Sequence, residues 1–172
     1  MLKSVANGNS CTHVDFCDAG QISDYNFCDS LLESLPDHFQ LNGYLDLSGS
    51  RKILRLPSLL VVGFYLNISN TSIREIPVFS RIGSGIDASE SDLQFLPDNY
   101  VVNGNLDVSY CLKLTQVPRG MKVLGKLRAA YSGIRLVSED LYVQDELDLT
   151  GTMVRTIPSS VVAGRIMLSG TV

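Results

Sequence analysis

Two groups of side chains in this chain have the types and spacing that chemistry requires. Near the N-terminus, Cys11, His13, Cys17 and Cys28 follow the pattern Cys-x-His-x3-Cys-x10-Cys. These are the ligand types of a tetrahedral zinc centre. The spacing matches no common zinc motif, and Cys17 and Cys28 stand where other parts of the chain place a small serine. Small buried thiols are therefore expected here, with no metal and no cofactor. The second group is Asp87 and Asp107. Stacked on adjacent turns they would lie about 5 Å apart, a separation at which two carboxylates can divide acid and nucleophile roles on a glycosidic bond. Both belong to a longer column of Asp46, Asn67, Asp87, Asp107, Arg128 and Asp148, however, and periodic decoration accounts for them without catalysis. A phosphate-binding loop, a Gly-x-Ser-x-Gly elbow and a His/Glu metalloprotease motif are all missing. Two histidines in the whole chain give little support to His-dependent nucleophilic chemistry, so a protein that is not an enzyme is the expectation.

The column exists because the chain repeats. All six prolines, Pro36, Pro57, Pro77, Pro97, Pro118 and Pro158, fall on one lattice with steps of 21, 20, 20, 21 and 40 residues, Ser138 filling the vacant slot. Each follows an apolar residue. Nine residues after each corner comes a strand core: Leu45-Asp-Leu-Ser48, Leu66-Asn-Ile-Ser69, Ile86-Asp-Ala-Ser89, Leu106-Asp-Val-Ser109, Leu127-Arg-Ala-Ala130 and Leu147-Asp-Leu-Thr150. Ile166-Met-Leu-Ser169 arrives one residue early, and Tyr25-Asn-Phe-Cys28 extends the register backwards. Apolar residues alternate through each core at period two, and no ten-residue window has helical spacing. The expectation is an all-β, right-handed parallel solenoid of about eight turns with almost no helix, one strand per turn stacking about 4.8 Å from the next. Proline suits the corner, where its missing N–H interrupts no ladder.

Composition bounds the rest. At 172 residues, 45% hydrophobic and 19% charged, the chain can bury a real core and is not a disordered type. A net charge of −4 with no basic run argues against nucleic acid, which needs clustered Lys and Arg. The longest apolar run, residues 56–66, is interrupted and too short to cross a bilayer, so no membrane association is expected. Four cysteines are not a disulfide framework, and the polar start lacks a secretory h-region; a reducing environment is the default.

Residues 1–24 break the lattice and read as an N-terminal cap, with residues 25–172 as the solenoid. The far end shows no cap, since the last strand is followed only by a few residues. That edge is expected to be covered by further sequence or to self-associate.

The run leucine-x-leucine-x-x-(small polar)-x-leucine, met by Leu66, Ile68, Thr71 and Ile73 or by Leu147, Leu149, Thr152 and Val154, resembles the conserved half of leucine-rich repeats. Leu45, Leu47, Ser50 and Ile53, and Leu106, Val108, Cys111 and Leu114, fit with one inserted residue. The 20-residue pitch, the Leu-Asp-Val-Ser wording and the Leu-Pro corner are most similar to the short bacterial repeats of type III secreted virulence effectors. The resemblance implies that Ser50, Thr71, Ser91, Cys111, Ser132 and Thr152 lie inside the coil and hydrogen-bond to backbone. It also implies a host protein as partner and a secreted, host-cell or bacterial cytoplasmic location. The ubiquitin-ligase domain of some such effectors has no counterpart here.

A solenoid of this type is expected to use its sheet face for protein recognition. The outward columns are Tyr44, Tyr65 and Asn105; Asp46, Asn67, Asp87, Asp107, Arg128 and Asp148; and Tyr110 and Tyr131. Tyrosines would anchor the partner and carboxylates select it. Asp87 beside Asp107 costs stability, and Arg128 is placed to pair with both Asp107 and Asp148. The rival expectations are a carbohydrate-active β-helix and a self-associating structural array.

Overall fold

A computed structural model describes residues 24–169. Of the N-terminal cysteine–histidine group only Cys28 falls within them, and the expected cap lies outside apart from Asp24. Cys28 is exposed, not the buried thiol its register led us to expect.

The described residues contain no helix and form a parallel β-solenoid. Its main sheet stacks the rungs Tyr25–Asn26, Leu45–Asp46, Leu66–Asn67, Ile86–Asp87, Leu106–Asp107, Leu127–Arg128, Tyr142–Asp148 and Val162–Met167 in parallel, Leu45 over Leu66, Leu66 over Ile86 and so on, with one register shift, between Val143 and Glu146, on the last pair. Eight rungs enclose about seven turns, one fewer than the repeat count. The coil also differs from the simple expectation of one strand per turn. His38–Leu41, Leu59–Val62 and Arg81–Ile82 form a second sheet, and Gln116–Val117 pairs with Leu136–Val137 on a third side. The reason is visible in the backbone: a bend at Asn42-Gly43, Gly63-Phe64, Gly83-Ser84, Asn103-Gly104 or Leu124-Gly125 splits what period-two alternation reads as one strand. These bends are crowded: a Cβ on Gly83 would sit 1.9 Å from the Gly63 carbonyl oxygen.

Inside the coil the apolar columns become ladders. Leu45, Leu66, Ile86, Leu106, Leu127 and Leu147 are all at most 1% exposed, each burial worth roughly 2 kcal/mol. The small polar column lies inside with them, as the repeat pattern implies. Thr71, Ser91, Ser132 and Thr152 each donate to the carbonyl three residues back, at 2.6 to 2.7 Å. Ser50 and Cys111 belong to the two 21-residue units, whose extra residue makes an additional turn at Arg51-Lys52 and Leu112-Lys113. Their side chains reach back to the preceding rung instead, Ser50 Oγ to Phe27 O at 2.6 Å and Cys111 Sγ to Ala88 O at 3.0 Å. Burial pushes the Cys111 thiol above its ordinary pKa, which makes it a space-filler and not a nucleophile.

Candidate functional site: the outward sheet face

The residue between the two strand leucines does structural work on every rung that carries Asp or Asn. Oδ1 of Asn26, Asp46, Asn67, Asp87, Asp107 and Asp148 accepts a hydrogen bond from the backbone N–H two residues on, at 2.9 to 3.0 Å. This is an Asx turn. It leads into a residue with positive φ, Asp29, Gly49, Asn70, Glu90, Tyr110 or Gly151, and Tyr131 takes the same conformation on the Arg128 rung without an Asx turn. The Asp column is accordingly half-buried, not freely displayed. Arg128 has replaced the turn-forming residue on its rung and pairs with Asp107 at 3.9 Å; no pairing with Asp148 forms.

Asn105 is also engaged, its Oδ1 accepting from Lys126 N on the next rung at 2.9 Å. Asp87 and Asp107 occupy adjacent registered rungs, as expected. Asp87 Oδ1 is taken by both the N–H and the hydroxyl of Ser89, at 2.9 and 2.7 Å, which holds this carboxylate to its own turn.

The tyrosines separate into two clusters. Tyr44 stacks on Phe64 of the following rung with ring centroids 5.4 Å apart. Tyr110 stacks on Tyr131 at 5.3 Å, and both are about half exposed, at 52% and 51%. Tyr65 lies between them. Its ring crosses the next rung over Gly85, where a Cβ would be 3.1 Å from the ring edge and 2.7 Å from the Asn105 carbonyl oxygen. Partial burial, followed by the charges of Asp87 and Asp107, raises the Tyr65 pKa; Arg128 opposes this. From Tyr44 to Asp148 the face spans five rung steps, about 24 Å, so the eleven expected residues line one surface without converging on a cleft.

Two features escaped the sequence reading. Phe64 occupies a column otherwise filled by Gly43, Ser84, Gly104, Gly125, Asp145 and Gly164, and its departure from that small-residue pattern is the signal that marks it. The second is an open groove of about 650 Å³ along the proline edge, lined by Pro57, Pro77 and Pro97 and flanked by Val78, Phe79 and Phe95. The last three are 57%, 69% and 62% exposed. Their signal was Val78-Phe79 directly after a proline, where the other corners carry at least one polar residue.

The chain matches no known family profile, no curated protein and no solved structure.

Proposed function

We propose that the chain is a protein-recognition module whose sheet face, centred on Tyr110 and Tyr131, docks a partner protein. What supports this is the backbone under those two rings. An L-residue in the left-handed region costs roughly 1–2 kcal/mol, and neighbouring turns avoid most of that with Gly49, Asn70 or Gly151. Glu90, Tyr110 and Tyr131 accept the strain and point outward. Strain of this kind, retained on an exposed aromatic pair, is characteristic of binding surfaces. The likeness of the repeats to those of secreted virulence effectors makes a host-cell protein the favoured partner, reached by delivery into that cell.

The test is capture from host-cell lysate with wild-type protein and with Tyr110→Gly/Tyr131→Gly, which relaxes the backbone while deleting both rings. The partner should be lost with the fold intact by circular dichroism. Undiminished capture by the double variant would place recognition on another surface.

A further inference from the structure

Resting on that recognition reading, we propose that the partner is a basic segment held by arginine, with its guanidinium against Glu90 and Asp87 and over the Tyr110–Tyr131 stack. The argument is one of charge left over. The cations in the strand columns of the face are Lys126, Arg128 and Arg165, and each is already paired with an acid of the same face: Lys126 with Glu146 at 3.8 Å, Arg165 with Glu146 at 3.7 Å, and Arg128 with Asp107 at 3.9 Å; Arg51, on the extra turn beside the face, hydrogen-bonds Asn70 and not an acid. Among the described residues Asp46, Asp87, Glu90 and Asp148 have no cationic partner. Two of the four, Asp87 and Glu90, share the rung below Tyr110, where Glu90 N donates to Ser109 O at 2.9 Å. Negative charge and exposed aromatic rings are thus adjacent. An isolated carboxylate would attract any cation, but a ring stack beside one favours a planar cation that can lie on a ring and still fork its N–H groups toward an oxygen. Arginine does both; lysine, a compact hydrated charge, does only the first weakly.

The chain contains no tryptophan, so tyrosine emission is not masked, and four of its seven tyrosines, Tyr44, Tyr65, Tyr110 and Tyr131, lie on this face. The probe is a blocked nonapeptide of alternating threonine and arginine, compared with the same peptide carrying citrulline, the neutral isostere. We expect tyrosine emission to titrate with the arginine peptide, about tenfold weaker binding of the citrulline peptide, and a steep loss between 50 and 500 mM NaCl, as screening predicts. Asp87→Asn/Glu90→Gln should lower affinity for the arginine peptide about tenfold. Asn67 already forms the same turn on the rung before, so this variant keeps the local fold. Glu139→Gln/Asp140→Asn removes equal charge from another side and should change nothing.

Equal binding of both peptides, or no binding of either, overturns the inference, as does an equal loss in the control variant, which would leave only general charge attraction. Failure here and failure of recognition itself are distinguishable. If Tyr110→Gly/Tyr131→Gly abolishes capture of the lysate partner but Asp87→Asn/Glu90→Gln does not, recognition stands and the cationic partner falls. If neither variant affects capture, both fall.

Discussion

On the sheet side, six rungs place Asp or Asn between their inward strand residues, and every one of those side chains closes an Asx turn. Along the proline edge the two residues after the corner run from Asp37-His38 through Val78-Phe79 to Arg119-Gly120, joined from turn to turn by backbone bonds such as Asn99 N to Arg119 O and Gly120 N to Glu139 O and not by a side-chain bond that recurs. The contrast separates two kinds of outward residue. Those that recur are held in place by the mechanics of the turn, and their recurrence says little about ligands. Those that depart from their column, such as Tyr110, Tyr131, Arg128 and Phe64 on one side and Phe79 and Phe95 on the other, are not required by the coil. They are where function must be sought.

The largest effect should come from the ladders beneath the two sides. Leu106, under the sheet, is 0% exposed, whereas Leu96, at a proline corner, is 9% exposed. Truncation of a buried leucine costs about 2–5 kcal/mol, more where the site is fully enclosed. Leu106→Ala is expected at about 3–4 kcal/mol and Leu96→Ala nearer 2, read as the shift in urea midpoint. An equal or reversed order would mean that the edge is packed as tightly as the sheet.

Next comes the Asx column. Asp107→Ala should cost about 1 kcal/mol, in line with loss of a side-chain cap, whereas Asp107→Asn should be close to neutral because Asn67 performs the same task. The ion pair with Arg128 is largely exposed and adds little. If Asn destabilises as much as Ala, charge and not the turn holds this column.

The departures should then affect binding without stability. Tyr110→Gly relieves roughly 1–2 kcal/mol of left-handed strain and loses a ring contact worth about 0.5–1.5 kcal/mol, so its melting temperature should stay near that of the parent. Phe79→Ser/Phe95→Ser, on residues already more than half exposed, should likewise leave stability within about 0.5 kcal/mol. If the partner survives Tyr110→Gly and is lost with the phenylalanine pair, recognition belongs to the proline edge.

The repeat lattice made the coil legible from sequence. Proline spacing and the apolar columns follow from residues that must coincide on successive turns, whereas the buried hydroxyls at Thr71, Ser91, Ser132 and Thr152 are implied by the resemblance to leucine-rich repeats. The multiplicity of sheets did not follow, because a bend at Gly63 or Gly104 depends on how closely the rungs approach each other, which alternation does not encode. Reading Asp46, Asp87 and Asp148 as displayed carboxylates missed their turn-closing bond for a similar reason: an outward strand position and an Asx turn use the same residue at the same spacing. Tyr110 and Tyr131 are legible as aromatics, but their left-handed backbone becomes visible only in three dimensions.

The smallest effect also divides the two sides. Tyr65 lies on the sheet and Tyr100 follows a proline corner, where it hydrogen-bonds Ser80 Oγ at 2.7 Å. Both have pKa values raised above the ordinary 10.0: Tyr100 by burial alone, against a lowering by Ser80, and Tyr65 by burial together with the charges of Asp87, Asp107 and Asp46. A phenol whose pKa is higher folded than unfolded ionises first in the unfolded chain. The stability it confers is complete below pH 10 and is lost as pH rises from 10 through the folded value. Denaturation midpoints should therefore fall above pH 10, less steeply in Tyr65→Phe and in Tyr100→Phe. Salt distinguishes the two. The carboxylate part of the Tyr65 shift is screened at about 0.5 M NaCl, while desolvation of Tyr100 is not. Added salt should thus shrink the difference between parent and Tyr65→Phe and leave that for Tyr100→Phe unchanged. Equal salt responses would mean that the acids of the face do not act on Tyr65, and would remove one support for a negatively charged recognition surface.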